Sequence, residues 1–424
     1  MKFGIFYEHQ LPRPWGPDSE RLLLEESLAQ IELADGLGYD YAWEVEHHFL
    51  EEYSHSSAPE VFLGAASQRT RNIRLGHGVI QLTTNHPVRV AEKVSTLDLL
   101  SGGRVELGLG EAQGPVELHP FGVQVRSKRD RWIEGVKATI PLFTETAFEF
   151  SGEFYSYPKR NVVPKPLQKP HPPLWVACSN IDTIEDAGRW GMGALGFQFV
   201  SPEAAKAWVN RYYLNLTRHL DRICDYPVNP NIAMVSGFMC CETDEEAVEK
   251  AAGWTFFIFC LSHYGRHGIS APGETDLWKL YQDWRHTEKA QQALTAGLIG
   301  SPETIRRKLR AFAAANVDQV ILLNQAGQNT HEDICASLEL FARKVMPEFH
   351  AMEEEHAAWK AGVLAGEIEL EALSVEGARR YAHQNEDIVR LTPEQLKAKM
   401  AAKEAAAAPN AANVVNSGVG TAAE

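Results

Sequence analysis

A chain of 424 residues, 44% of them hydrophobic, is long enough to bury one large core or two smaller ones. Its formal net charge of −15 disfavours nucleic acid as a partner, because phosphate binding requires a basic surface. No apolar run approaches the roughly 20 residues of a membrane span, and the N-terminus lacks the pattern of a secretory signal, so we expect a cytoplasmic location. The six cysteines form no C-x-x-C pair and are expected to be mostly buried thiols, not a disulfide framework.

Eight short runs of β-branched and aromatic residues, bounded by turn residues, predict strands. They cover 2–9, 41–48, 73–82, 104–110, 173–179, 192–199, 231–240 and 318–325. Segments with a helical pattern separate most of them, at 19–39, 58–70, 87–103, 179–191, 201–220 and 301–317. Strands alternating with helices favour parallel pairing, and eight such units predict a closed α/β barrel, the (β/α)8 TIM barrel. An open doubly wound sheet is the alternative.

Two stretches exceed a normal loop and are interpreted as insertions, at about 115–172 and 252–299. The second is too aromatic for a flexible linker, so we expect it to cover the barrel mouth. The barrel itself is assigned to 1–346, and a C-terminal helical extension to 347–400. Residues 401–424 have almost nothing to bury and are predicted to be disordered, so their deletion should leave fold and activity intact.

Polar residues follow several of the predicted strands, at the barrel end where catalytic groups of this fold lie. They are His9, Glu46, His47, His48, Glu111, Ser179 and Gln198. A metal-dependent hydrolase or isomerase is one interpretation. Neighbouring histidines on an extended strand point to opposite sides, however, so His47 and His48 are poorly placed to bind one ion. For any single histidine, a structural hydrogen bond is the alternative.

Glycines near the ends of the third and fourth strands suggest a binding surface. The sequence GLGEAQG (108–114) departs from the dinucleotide spacing G-x-G-x-x-G. Together with Gly76 and Gly78, these glycines favour a bulky planar ligand lying close to the backbone. A phosphate would be held after the fifth strand, where Ser179 and Thr183 open a helix, although Ser179 could instead be an N-cap. Ser301 and Pro302, as N-cap and first helical residue, need no ligand.

Three motifs carry a family resemblance. They are EHHF (46–49), NIRLGHGVIQLTTNHPVRVAEKVSTLDLLSGGR (72–104), and FG (121–122) after GLGEAQGPVELHP (108–120); GSPETIRRKL (300–309) adds weaker support. In order and spacing they resemble the bacterial luciferase-like flavin monooxygenase family, over most of residues 1–345. The resemblance implies a (β/α)8 barrel that holds reduced FMN at its C-terminal mouth and uses it to activate O2.

The resemblance also implies residue roles. His47 occupies the position of the histidine that luciferases place beside the flavin to assist its reaction with oxygen, and Glu46 precedes it in the motif. Gly78 and Val79 match a pair with a cis peptide bond that contacts the isoalloxazine ring. Ser179 matches a phosphate-binding serine, and Thr183 matches the phosphate-binding threonine if one residue is inserted between them.

Two positions depart from the luciferase pattern. Glu111 stands where luciferases have a phosphate-binding arginine. The sequence therefore does not identify the group that binds the phosphate. Cys178 replaces a glutamate at the start of the phosphate loop. The chain therefore resembles the wider monooxygenase family more than the light-emitting subunits, and bioluminescence is not implied.

The sequence thus predicts an FMN-dependent monooxygenase that receives reduced flavin from a separate reductase and oxygenates a small apolar organic molecule. Its pocket is expected to include Phe197, Gln198, His263 and Tyr264. With an unperturbed pKa of about 6.5, His47 would exchange protons at neutral pH. From the family resemblance we also expect a homodimer or a related heterodimer, with the early helices as the interface. A deazaflavin-dependent dehydrogenase and a non-catalytic flavin-binding protein are the alternatives.

Overall fold

The computed structural model describes residues 1–197, 202–267 and 272–374. The strands in these ranges are β1 (Lys2–Tyr7), β2 (Tyr41–Glu44), β3 (Arg74–Gln81), β4 (Val105–Gly110), β5 (Phe148–Ser151), β6 (Ser156–Arg160), β7 (Leu174–Cys178), β8 (Gly193–Gly196), β9 (Ile232–Cys240), β10 (Leu298–Gly300) and β11 (Gln319–Gln325). Parallel pairing runs from β11 through β1, β2, β3, β4, β7 and β8 to β9, which pairs again with β11. This ring is a closed barrel, and it confirms the predicted (β/α)8 fold.

Helices lie between successive barrel strands and in the two insertions. In the described ranges they are α1 (Ser19–Leu37), α2 (Pro59–Arg69), α3 (Pro87–Ser101), α4 (Pro115–Leu118), α5 (Lys128–Thr139), α6 (Ile181–Trp190), α7 (Pro202–Arg218), α8 (Asp244–Lys250), α9 (Ala252–His267), α10 (Leu277–Trp284), α11 (Glu288–Ala296), α12 (Pro302–Ala314), α13 (His331–Lys344), α14 (Met346–His350) and α15 (Glu353–Leu364). None of those helices is long and apolar enough to cross a membrane. As predicted, Ser301 is the N-cap of α12 and Pro302 its first residue.

All eight predicted barrel strands are present, but β2 and β8 end well before the predicted residues 48 and 199. β2 ends at Glu44, because the backbone N–H of His47 leaves the sheet and donates to the carbonyl of Ser56 at 2.9 Å. β8 ends at Gly196, and the predicted pocket residue Gln198 lies outside the described residues. The predictions also missed the antiparallel pair β5–β6 in the first insertion and β10, which pairs with β9 outside the ring.

Two tryptophans fill the barrel interior, and glycines on neighbouring strands make room for them. A Cβ on Gly76 would overlap the Trp43 ring, and one on Gly193 would overlap the Trp175 ring. The two indoles meet edge to face, with ring centroids 5.3 Å apart. The expectation that Gly76 leaves space for a planar ligand is therefore wrong: the protein's own Trp43 takes that space. At Gly78 an added Cβ would make only ordinary contacts.

The glycines of β4 also face the protein itself. An added Cβ on Gly108 would overlap the carbonyl of His77, and one on Gly110 would overlap the Val79 side chain. They permit the close approach of β3 and β4, where the register shifts between His77 and Ile80. The β4 glycines thus serve strand packing, in contrast to the expected ligand contact.

The aromatic second insertion packs over the barrel mouth. The ring of Phe257 on α9 lies 5.4 Å from that of Tyr53 in the loop after β2, and Tyr264 lies 6.3 Å from it. Buried Glu52 in the same loop accepts hydrogen bonds from the backbone N–H groups of Leu277 (2.6 Å) and Trp278 (3.2 Å) at the start of α10. A carboxylate at a helix N-terminus is a favourable pairing. The loop that carries His47 is thereby joined to α9 and α10.

The described part of the C-terminal extension packs against the bottom of the barrel. Buried Asp318, just before β11, lies 2.7 Å from His356 and 2.6 Å from Lys360, both on α15. Burial raises the pKa of Asp318, but the contacts with His356 and Lys360 outweigh burial and hold that pKa below its usual value. Phe349 and Val363 join the main hydrophobic core. The predicted disordered segment 401–424 lies outside the described residues.

Replacing Gly76 by alanine tests the tryptophan packing. We expect Gly76→Ala to destabilise the fold by about 1–3 kcal/mol, because the new methyl group overlaps a fully buried ring. The matched control is Gly64→Ala on α2, where an added Cβ meets nothing within 4 Å and should stabilise the helix by up to about 1 kcal/mol. Urea unfolding midpoints would measure both. Equal effects of the two variants would contradict the packing argument.

Two truncations test the role of the C-terminal segments. A chain that ends after Met400 should keep the melting temperature of the full chain. A chain that ends after Val345 loses α14 and α15 and leaves Asp318 without His356 and Lys360, so we expect a loss of at least about 3 kcal/mol or failure to fold. Thermal unfolding followed by circular dichroism gives the comparison. An unchanged melting temperature for the shorter chain would refute the structural role of α15.

Candidate active site

Three ionisable side chains lie in a row at the barrel mouth. Glu8 follows β1, His47 lies in the loop after β2, and Glu117 lies on α4 after β4. The Nδ1 of His47 is 2.9 Å from Oε1 of Glu117, and its Nε2 is 3.6 Å from Oε2 of Glu8. The hydroxyl of Tyr53 donates to Oε1 of Glu8 at 2.9 Å. The imidazole is therefore flanked by a carboxylate on each side.

Glu117 is held rigidly by donors other than His47. Its carboxylate accepts hydrogen bonds from the backbone N–H of His48 (3.1 Å), the side chain of Gln81 (2.6 Å) and the backbone N–H of Gln113 (3.2 Å). Burial raises the pKa of Glu117, but His47 and these donors outweigh burial and lower the pKa below its usual value. Glu117 is thus an anion that fixes the orientation of the His47 ring.

The two carboxylates change the protonation of His47. Burial lowers the pKa of His47, but Glu117 and Glu8 outweigh burial and raise that pKa to about 9. Burial raises the pKa of Glu8 to about 7, even though His47 and Tyr53 oppose the change. The expectation that His47 itself titrates near its ordinary pKa is therefore wrong. The two carboxylates therefore favour the imidazolium form of His47, and burial favours the protonated form of Glu8.

Glu46 and His48 form a separate pair beside this row. One Glu46 oxygen accepts from the backbone N–H of Gln81 at 2.9 Å, and the other lies 3.0 Å from Nε2 of His48 and 2.7 Å from Nδ2 of Asn85. The carboxylate predicted to bind cofactor is thus occupied by the protein, and it ties the loop after β2 to the loop after β3. The ring of His48 packs on Phe121 with centroids 4.9 Å apart.

The two adjacent histidines serve different partners, as predicted, although they lie in a loop and not on the extended strand from which this was predicted. His47 pairs with Glu8 and Glu117, and His48 pairs with Glu46. Across the described residues, no group of three or more His, Cys, Asp or Glu side chains is arranged to hold a metal ion. The arrangement favours proton transfer between side chains.

Apolar groups line the mouth next to His47. The Gly78–Val79 peptide bond is cis, as the resemblance implied, and the Val79 side chain is half-buried. Phe197, just after β8, is also half-buried, and its ring lies 5.5 Å from that of Phe6 inside the barrel. Tyr264 on α9 is buried, and its neighbour His263 is half-buried. Of the predicted pocket residues, Tyr264 lies 6.3 Å from the ring of Tyr53, in the loop that carries His47.

The start of α6 differs in detail from the prediction. Its N-cap is Asn180, whose side chain accepts from the backbone N–H of Thr183 at 3.0 Å. The Thr183 hydroxyl donates to the carbonyl of Asn180 at 2.8 Å, so its proton is used inside the protein and a phosphate would not receive it. Ser179 is exposed beside the helix start, and the alternative that Ser179 is the N-cap is wrong. The buried Cys178 thiol lies 3.3 Å from the carbonyl of Thr183.

Two cations that the sequence analysis missed lie beside Glu111. Arg129 on α5 pairs with Glu111 and lies 2.6 Å from Asp186 on α6, and its guanidinium stacks over Trp190 at 4.8 Å from the ring centroid. The Nζ of Lys128 is 3.8 Å from the other oxygen of Glu111. Both come from the basic run RSKRDR (126–131), a signal that was available. Arg129 and Lys128 therefore offset the negative charge of Glu111 at this edge of the barrel.

Sequence reasoning also missed Glu8 and Glu117 in the row that contains His47, and Tyr53, which donates to Glu8. Glu8 directly precedes the predicted mouth residue His9, and Glu117 lies inside the motif GLGEAQGPVELHP, so either could have been found by position. Nothing in the sequence indicated Tyr53, because its contact with Glu8 depends on how the loop after β2 folds. His9 itself is buried 3.0 Å from Glu44, beneath the row.

The fold agrees with what comparisons with known proteins find. The family model for luciferase-like monooxygenases matches residues 1–319. The oxygenase component of the flavin-dependent trigonelline monooxygenase of Acinetobacter baylyi is 24% identical over 373 residues, which cover 85% of this chain and 99% of that protein. An uncharacterized protein of Sinorhizobium fredii, y4wF, is 33% identical over 163 residues, 38% of this chain and 46% of that protein.

Solved structures share the barrel. The monooxygenase RslO1 of Streptomyces bottropensis superimposes with a TM-score of 0.68 and 27% identity, covering 82% of this chain and all of that one. At 18% and 17% identity, the likeness to an FMN complex of the Pseudomonas putida 3,6-diketocamphane monooxygenase (TM-score 0.65) and to an F420-dependent secondary alcohol dehydrogenase (TM-score 0.62) concerns the fold alone. Because the family model covers three quarters of its length, the chain belongs to the luciferase-like monooxygenase family.

Proposed function

We propose that this chain is an FMN-dependent monooxygenase that takes reduced flavin from a separate reductase and uses O2 to oxygenate a small apolar organic molecule. The observation that carries the proposal is the His47 side chain, held between Glu8 and Glu117 at the barrel mouth. Family membership supports the reaction class, and the trigonelline relative, named as an oxygenase component, supports a two-component system. A cytoplasmic location remains part of the proposal.

The residues around the mouth fit a flavin mononucleotide. Val79 and Phe197 offer apolar, half-buried surfaces for a planar ring system, and an added Cβ at Gly78 makes only ordinary contacts. Ser179 has an exposed hydroxyl at the N-terminus of α6, which is a favourable position for an anion. Arg129 and Lys128 would supply the cations for the phosphate, with Glu111 turning from them toward solvent. FMN rather than a deazaflavin is the proposed occupant.

Reduced FMN, when bound, would supply the electrons that activate O2, and the protein supplies binding, orientation and proton control. Tyr53, Phe257 and Tyr264 form an aromatic cover over the site. Excluding water from such a site prevents side reactions of oxygen species. Glu46 supports this arrangement indirectly, since it holds the loops after β2 and β3 together.

His47 acts in this proposal as a proton donor. Its Nδ1–H is engaged by Glu117, so the proton available for chemistry is the one on Nε2. With a pKa raised to about 9 by Glu117 and Glu8 against the effect of burial, His47 carries that proton throughout the neutral range. The sequence predicted that His47 could either accept or donate a proton, and the proposal assigns it the role of general acid.

We propose a homodimer or related heterodimer that forms through the early helices. Val61 on α2 is 69% exposed and Leu100 on α3 is 55% exposed. Apolar side chains on neighbouring helices are suited to an interface between subunits. Sedimentation velocity would measure the oligomeric state.

Replacing His47 tests its role as proton donor. We expect His47→Gln to slow the reoxidation of bound reduced FMN by O2 about 100-fold or more, since general acid catalysis commonly contributes that much. The dissociation constant for reduced FMN should change little. Stopped-flow absorbance measures the first quantity and anaerobic titration the second.

The matched control for this experiment is His48→Gln, at the adjacent histidine. Because His48 pairs with Glu46 and packs on Phe121, its replacement should have a much smaller effect on the reoxidation rate. Equal losses of rate in both variants, or loss of flavin binding in His47→Gln, would make His47 a structural residue.

The cations beside Glu111 lead to a separate prediction on affinity. Arg129→Met should weaken binding of FMN about 10-fold or more, because a charge-assisted hydrogen bond to phosphate is lost. Riboflavin has no phosphate, so its affinity should stay unchanged. The control is Arg189→Met, which removes another arginine paired with Asp186. Fluorescence quenching titrations with both flavins give the affinities, and a parallel loss for FMN and riboflavin would contradict the assignment.

A further inference from the structure

Glu8 has one carboxylate oxygen with an unusual environment. The side chain is buried, and its Oε1 accepts from Tyr53. Its Oε2 has no hydrogen-bond partner among the described residues, and the Nε2 of His47 lies 3.6 Å from it. An unpaired buried carboxylate oxygen is costly, so this oxygen needs either a proton or a cation.

We propose that Glu8 is a positioning residue for His47, which exchanges a proton with the Nε2 of His47 and so resets its protonation after each transfer. This inference rests on the proposed function for its purpose, but its geometry is independent of any flavin. The separation of 3.6 Å is longer than a hydrogen bond, and such contacts often shorten when a site is filled.

Among the described groups with the largest influence on the pKa of Glu8, His47 is the one that can carry a positive charge. Tyr53 donates to Glu8, Glu117 and Glu44 repel it, and the buried thiol of Cys260 lies close enough to be influenced by it. Glu44 has its own partner, since one of its oxygens is 3.0 Å from Nδ1 of His9. Within the described part of the chain, the proton source that faces the Oε2 of Glu8 is therefore the Nε2–H of His47, at 3.6 Å.

The proton balance of the exchange is simple. His47 gives its Nε2 proton to a group in the pocket and becomes a neutral imidazole that still donates from Nδ1 to Glu117. Protonated Glu8 then transfers its Oε2 proton to Nε2, which breaks one O–H bond, forms one N–H bond, and leaves Glu8 a carboxylate beside an imidazolium. Glu8 regains its proton from solvent. One proton leaves the site and one enters.

The pKa values of Glu8 and His47 differ enough for these proton transfers to occur near neutral pH. Burial raises the pKa of Glu8 to about 7 against the influence of His47, so a fraction of Glu8 is protonated there. The carboxylates Glu117 and Glu8 raise the pKa of His47 to about 9 despite burial, so the imidazole takes the proton from Glu8 readily.

Histidine NMR titration of the flavin-free protein tests the proposal. With 15N-labelled histidine, the His47 resonances among the 16 histidines are assigned by their absence in His47→Gln. In the native chain we expect two inflections for His47, at pH about 7 and about 9. In Glu8→Gln the lower inflection should vanish, and the His47 midpoint should fall by about one pH unit, since an opposite charge is removed.

Glu106→Gln is the matched control for that variant. Glu106 is also buried, but it pairs with Arg74 and Trp175 away from His47, so its loss should leave the His47 titration unchanged. A lower inflection that persists in Glu8→Gln, or the same change in Glu106→Gln, would overturn the proposal.

Tyr53→Phe keeps the test decisive if Glu8→Gln does not fold. The Tyr53 hydroxyl lowers the pKa of Glu8, so its removal should move the lower inflection to higher pH. An inflection that stays in place or moves down would refute Glu8 as its source. The flavin reoxidation rate of the native chain should change with pH near the same value, and that of Glu8→Gln should not. If the NMR results are as expected but reduced FMN does not bind, the proposed function fails and the Glu8–His47 exchange stands.

Discussion

The candidate site depends on one constraint, which is that a charged imidazole must be held where little water reaches it. An isolated buried cation would lose its proton, because burial disfavours the charged form. Glu117 and Glu8 oppose that loss, because each places a carboxylate next to one ring nitrogen of His47. The three residues come from different barrel segments, so the protonation of His47 depends on closure of the barrel.

Other features of the molecule maintain this arrangement. Backbone donors and Gln81 fix Glu117, and Glu46 joins the loops after β2 and β3. Glu52 links the loop that carries His47 to the start of α10. Below the site, the buried indoles of Trp43 and Trp175 pack against each other and fill the barrel interior. The result is a rigid, mostly apolar site with few ionisable groups, each of which has a defined partner.

The fold could be predicted from the sequence more fully than the site, for a physical reason. Strands such as Val105–Gly110 are buried along their whole length, so their composition alone identifies them. The partner of His47 is set by loop geometry, and nothing local in the sequence places Glu117 or Tyr53 beside it. The charge of a single residue is a poor guide for the same reason. Glu111 alone disfavours a phosphate, but the fold places the cationic Arg129 beside it. Glycines such as Gly76 indicated a close approach correctly, but the approaching group was the protein's own tryptophan.

The central claim is that the chain binds reduced FMN and controls its reaction with O2, and rapid mixing tests it most directly. The purified protein would be titrated with reduced FMN without oxygen, then mixed with O2 while the flavin spectrum is recorded. The account predicts stoichiometric binding and an absorbing species, distinct from both reduced and oxidised FMN, that persists before oxidised FMN appears. Failure to bind reduced FMN, together with binding of the deazaflavin F420, would contradict the account and identify a dehydrogenase on the same barrel.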